Sequence, residues 1–141
     1  MHLEDVCNAI KARLPELVAA LSEYDARWAP ETPGAYNISA DVLFPALERW
    51  LGERDNDDGL QRAFALLEEL SQESDAEVRY WVNDVVSWLL QRDEWIVTAR
   101  PYLGRSLSGL ICAHQEEARW FDEHADQVAA SLRRRRRWWP F

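Results

Sequence analysis

Four places in this 141-residue chain carry side chains whose type and spacing can do chemistry. The first is Glu53-Arg54-Asp55-Asn56-Asp57-Asp58-Gly59, where three aspartates precede a glycine as in a calcium loop. An EF-hand needs a bidentate glutamate at the twelfth position, and counting from Asp55 that position is Leu66. An acidic loop in solvent is the better reading. The second is His114 with Glu117 and His124; one His-x-x-Glu without a second ligand pair reads as a helix-surface histidine. The third is a set of carboxylates, Glu69, Glu73 and Asp84. Paired catalytic carboxylates need burial to separate their pKa values, whereas these fall on the outer faces of predicted helices. The fourth is the end of the chain, Arg133 to Arg137 followed by Trp138-Trp139-Pro140-Phe141. Such a run can bind nucleic acid by charge and stacking, or lie at an anionic membrane surface.

Other chemistry is missing. No nucleophile elbow, Gly-rich phosphate loop, His-Glu-x-x-His or Cys/His zinc spacing occurs. Cys7 and Cys112 lack any CxxC neighbour and lie on or beside apolar stripes. They read as buried reduced thiols, with a disulfide left open. These observations predict a protein that is not an enzyme and that uses no metal and no cofactor.

Charge says more about partners. The net charge is −9, from 25 acidic and 16 basic residues, yet no acidic residue lies beyond Asp126. Setting aside the five consecutive arginines leaves 11 basic residues against the 25, a body near −14. Such a body repels nucleic acid and attracts basic protein surfaces. The arginine run is expected to fold back on that body ahead of being disordered or binding an external anion. Met1-His2-Leu3-Glu4-Asp5 is acidic where a secretory signal is basic, and no uncharged apolar run has the ~18 residues of a membrane span. A cytoplasmic protein with no membrane span is expected.

The elements that must position these groups are helices. Leu60, Ala63, Phe64, Leu67 and Leu70 share one helical face, and Val78, Trp81, Val82, Val85, Trp88 and Leu89 share another. Ser74-Asp75-Ala76-Glu77 between them reads as a capping box with Ser74 as the cap. An αα-hairpin over Leu60–Leu90 results. Its second helix is apolar over more than half its circumference and so belongs near the middle of the domain. Its narrow polar strip carries Tyr80, Asn83, Asp84, Ser87 and Gln91.

Before the hairpin, Leu3, Val6, Ile10, Leu14, Leu17, Val18 and Leu21 continue one stripe that Pro15 must kink or break. Residues 28–37 read as a Pro/Gly loop. A third helix is expected from Ser39 or Asp41 to Gly52, burying Leu43, Leu47, Trp50 and Leu51. After the hairpin come a short helix at Trp95–Leu103 and a further one through Leu107, Ile111, Trp120 and Phe121 that closes the core. The fold class is all-α: a compact array of about five to seven helices in antiparallel pairs, HEAT-like or an irregular bundle. Residues 1–132 form one domain, and 133–141 a basic, aromatic tail not needed for the core.

With the elements laid out, the chain resembles a known kind of protein. The residues concerned are Asp41-Val42-Leu43-Phe44-Pro45-Ala46-Leu47-Glu48-Arg49-Trp50-Leu51 and Ala63-Phe64-Ala65-Leu66-Leu67-Glu68. Glu77-Val78-Arg79, Val85-Val86-Ser87-Trp88-Leu89 and Tyr102-Leu103-Gly104 complete the pattern. Together they resemble small acidic all-helical proteins of bacterial polymorphic-toxin loci, commonly regarded as immunity proteins. The resemblance covers roughly residues 3–121 and leaves the arginine run without a counterpart. It implies a binder that neutralises a cognate toxin by occluding a basic surface or active site. The alternative is a non-catalytic helical scaffold or adaptor for another basic protein.

The residues expected to meet such a partner are Asp55, Asp57 and Asp58, with Glu69 and Glu73 on the outside of the first hairpin helix. Tyr80, Asn83 and Asp84 on the second complete the set. Tyrosine is enriched at interface centres, and the carboxylates would steer encounter.

Overall fold

The hairpin stripes find their partners through a succession of helices. In the computed structural model, which describes the backbone of residues 1–138 and the side chains of residues 1–134, these are α1 (Val6–Arg13), α2 (Val18–Trp28), α3 (Ala35–Ile38) and α4 (Phe44–Glu53). They are followed by α5 (Asp57–Ser71), α6 (Ala76–Leu89), α7 (Asp93–Ala99), α8 (Arg105–Glu123) and α9 (Ala125–Trp138). The fold is all-α, and no strand occurs among the described residues. Backbone packing divides the chain into two compact units, Met1–Leu110 and Ile111–Phe141.

In the first unit α5 and α6 form the expected hairpin. Leu60, Ala63, Phe64, Leu67 and Leu70 of α5 are buried, as are Val78, Trp81, Val82, Val85, Val86 and Leu89 of α6. Trp81 has no exposed surface, so α6 is the central helix. Its cap is one residue later than the sequence suggested. The Asp75 carboxylate accepts the N–H groups of Glu77 (2.9 Å) and Val78 (3.2 Å), while the Ser74 carbonyl accepts from Arg79. A carboxylate is the better acceptor beside the positive end of a helix.

Pro15 breaks the first stripe: α1 ends at Arg13, Pro15–Leu17 forms a 3-10 turn, and α2 follows. Val18, assigned to the stripe, is exposed because that turn shifts the phase of the helix after it. The third helix starts earlier than expected. Ala35–Ile38 is already helical, Ser39–Leu43 is a π-turn in which the Phe44 N–H reaches back to the Ser39 carbonyl, and α4 then runs past Gly52 to Glu53. The wide π-turn precedes Pro45, whose ring would crowd an ordinary preceding turn. Ser39 therefore caps nothing. It is fully buried, donating to the Ala35 carbonyl (2.9 Å) and accepting the Trp81 indole N–H (2.7 Å). Arg54, in the left-handed region at φ 55°, closes α4 in place of Gly52.

Phe44, Trp88 and Trp95 stack in series with 4.5 Å between successive ring centroids, tying α4, α6 and α7 together. Leu107 is buried at the start of α8. Glu68 of α5 caps that start from a distance, accepting the N–H groups of Ser106 (2.7 Å) and Leu107 (3.0 Å). The approach is close enough that a Cβ on Gly104 would stand 2.4 Å from the Glu68 carboxyl carbon.

In the second unit Trp120 and Phe121 are half exposed, so they do not close a core as expected. Glu116, Glu117, Arg119, Asp122 and Glu123 surround them in sequence and leave little apolar surface beside the two rings. Trp120 stacks on His124 at 4.4 Å. Cys112 is exposed and Cys7 half-buried, both free thiols, which corrects the expectation of two buried cysteines. The helix α9 runs unbroken across positions 132 and 133. The side chains of Arg135 to Trp138 and all of Trp139, Pro140 and Phe141 lie outside the described residues.

Candidate functional site

The eight residues expected to face a partner fall into three groups. Asp55 is exposed in the short connection between α4 and α5, and Asp57 and Asp58 form the first turn of α5. Their negative charge there complements the helix dipole, which is reason enough for two of the three aspartates. Asp57 also accepts from the Tyr102 hydroxyl and from Gln61 (3.2 Å). That bond and the neighbouring charge lift the Tyr102 phenol above its ordinary range. The three do not gather as a cation cage, and among the described residues no His, Cys, Asp or Glu side chains form a metal-binding set.

Glu69 and Glu73 point outward, but toward cations of the same chain. Arg13 grips Glu69 with both guanidinium arms, one of them at 3.1 Å, and holds its carboxyl below the usual range. The Met1 amino group stands 3.5 Å from Glu73. The same flank holds Lys11–Asp25 at 2.9 Å and Arg62 on Glu16. Desolvation pushes the Glu16 carboxyl up, but Arg62 and Asn56 together outweigh it and leave it lowered. These carboxylates are satisfied inside the fold.

The third group lies on the polar strip of α6. Tyr80 is 66% exposed, Asp84 is exposed, and the half-buried Asn83 donates to the Arg79 carbonyl at 3.1 Å. Glu77, one turn before Trp81, opens onto the same strip. No described cation pairs with Glu77 or Asp84. The nearest in sequence, Arg79, is held by the Glu73 and Ser74 carbonyls at 2.8 and 2.9 Å. Since α5 and α6 run antiparallel, the Asp55–Asp58 end of the hairpin lies level with Leu89. Tyr80 is about 14 Å away along the axis at 1.5 Å per residue. The eight residues therefore occupy separate stretches of the hairpin, the first group at its α5 start and the third on the α6 strip.

The structure adds Tyr36, which the Pro/Gly content of its surroundings places in a loop. It sits on α3 and is 44% exposed. The Trp81 indole N–H contacts the Ala35 carbonyl (3.3 Å) as well as Ser39, which pins the start of α3 over the middle of α6. Partial burial raises the Tyr36 phenol above its ordinary range, and the carboxylates of Asp84 and Glu77 add to the shift. No local signal announces this neighbour. The contact spans 46 positions and depends on a helix that the Pro/Gly content hides.

The described residues also line recesses elsewhere. One of ≈ 420 Å³ is lined by Asp57, Phe64, Glu68 and Tyr102, and one of ≈ 580 Å³ by Tyr24, Arg27, Asp41 and Arg49 among others. Tyr24 donates to Asp41 across the second. Among the described residues no helix is long and apolar enough to cross a membrane. No protein family, no curated protein and no solved structure matches this chain.

Proposed function

We propose that this chain is an immunity-type binder, which neutralises a basic toxin by covering its cationic surface without chemistry of its own. The observation that carries the reading is the partition of charge on the hairpin. Carboxylates on the α1 and α2 side are matched by internal cations, whereas Glu77 and Asp84 on the α6 strip lie open beside an exposed tyrosine. A charge surplus of this sign speeds encounter with a basic protein, by about tenfold or more at low salt. The pattern resemblance to acidic helical immunity proteins supports the choice of partner class.

The test is co-expression with the product of the adjacent gene, together with binding rates at two salt concentrations. Relief of growth inhibition, with association that slows as salt rises, is expected. No relief removes the immunity reading. A complex formed with a product that is never toxic favours the adaptor instead.

A further inference from the structure

We infer that the outer strip of α6, with Tyr36 laid beside it, receives two arginine side chains from the partner protein. The inference rests on the binding reading above and gives it an address and a chemistry. Glu77 and Asp84 are seven residues apart, two helical turns or about 10 Å along the axis, with Tyr80 one turn from each. Tyr36 lies exposed on α3, whose start the Trp81 indole N–H holds over the middle of α6, and the influence of both carboxylates on its phenol accords with that placement. Each end of the strip thus offers a carboxylate next to an aromatic ring. That combination suits a guanidinium, which forks onto a carboxylate and stacks on a ring, better than an ammonium. One guanidinium cannot span 10 Å; two can, if the partner spaces them accordingly. Arginines three apart on an extended, polyproline-like segment do so, at about 3.1 Å per residue on one face.

The competing acidic regions lack one of these features. Asp57 is engaged by Tyr102, Asp58 has no aromatic side chain one turn away on α5, and Glu69 already holds Arg13. On the α6 strip the chain's own nearby guanidinium is occupied by carbonyl groups, and the two carboxylates have no cation among the described residues.

The experiment uses the full chain and a proline-rich peptide carrying two arginines three residues apart, followed by NMR. Saturable shifts are expected in the Tyr36 and Tyr80 ring signals and the Glu77 and Asp84 amides. The lysine version of the peptide should bind at least about threefold more weakly. Affinity should fall about tenfold in Tyr36→Ala/Tyr80→Ala and comparably in Glu77→Gln/Asp84→Asn. The second pair of substitutions preserves shape, so a loss there is not a folding defect. Shifts spread evenly over Asp55, Asp58 and the other acids, or equal binding of both peptides, would overturn the inference in favour of diffuse charge. So would a dimer in sedimentation that the tyrosine substitutions dissolve, since the strip would then be a contact between copies. In the growth assay, rescue by both wild type and Tyr36→Ala/Tyr80→Ala removes this surface and leaves the immunity reading intact. If wild type fails to rescue, the immunity reading falls while the peptide titration still decides the surface.

Discussion

Trp81 joins the core to the candidate surface through one ring. Its carbon skeleton is fully buried in the middle of the first unit, and its N–H holds Ser39 and the start of α3. The two roles separate by substitution. Trp81→Ala removes the packing and should cost about 3–5 kcal/mol in a urea melt. Trp81→Phe keeps most of it and loses the hydrogen bond, so about 1–2 kcal/mol is expected. A Trp81→Phe variant as stable as wild type would mean that α3 is not held by this contact. Tyr36 offers a second measurement at the same scale. Its ring carbons should titrate above the ordinary tyrosine value of about 10. Asp84→Asn should bring the midpoint down, because one neighbouring negative charge no longer disfavours the phenolate. An unchanged midpoint would show that Tyr36 and Asp84 are not neighbours.

Helix ends carry the more fragile contacts. The N-terminus of α8 depends on a carboxylate from α5, so two elements far apart in sequence share one cap. Gly104 is needed because Glu68 passes over it, not for any unusual backbone angle. Gly104→Ala should push Glu68 off the Ser106 and Leu107 amides, costing about 1–3 kcal/mol. Hydrogen exchange at those amides faster than in wild type, with Val85 unchanged, would report the lost cap, and unchanged exchange there would show that Glu68 can move aside without loss. The α6 cap shows how narrow such choices are. Ser74 and Asp75 are both good caps by type, and Asp75 holds the position with two amides and a contact from His2.

At the scale of the molecule the acids decide the response to pH. The His2 contact and the α6 amides hold Asp75 below the usual carboxylate range, as Arg13 does for Glu69 and Arg62 with Asn56 for Glu16. Depressed folded-state values favour the ionised carboxylate in the native chain. Their stabilising contribution is complete above the ordinary value of about 4 and is lost as pH falls through the lowered values. The melting temperature should therefore drop below about pH 4. Arg13→Gln should flatten that acid limb, because Glu69 then titrates alike folded and unfolded. An acid limb identical to wild type would show that the Arg13–Glu69 pair does not persist in solution.

Periodicity by itself determined the all-α class, the α5–α6 hairpin and the buried faces of both helices, because a 3.6-residue repeat of apolar side chains can be buried only as a helix stripe. Pro15 called for a kink or a break, because its ring crowds the preceding turn, and the fold takes the break. Charge counting determined the acidic body. What only tertiary structure decided is which acids remain open. Glu69 and Glu73 look as exposed as Asp84 along the chain, until α1 and the chain start bring cations to them. The placement of α3, and with it Tyr36, over α6 has the same origin: a hydrogen bond between positions 35 and 81 is a property of packing. Local spacing specifies which face of a helix turns inward, but the partner waiting on the other side comes from elsewhere in the sequence.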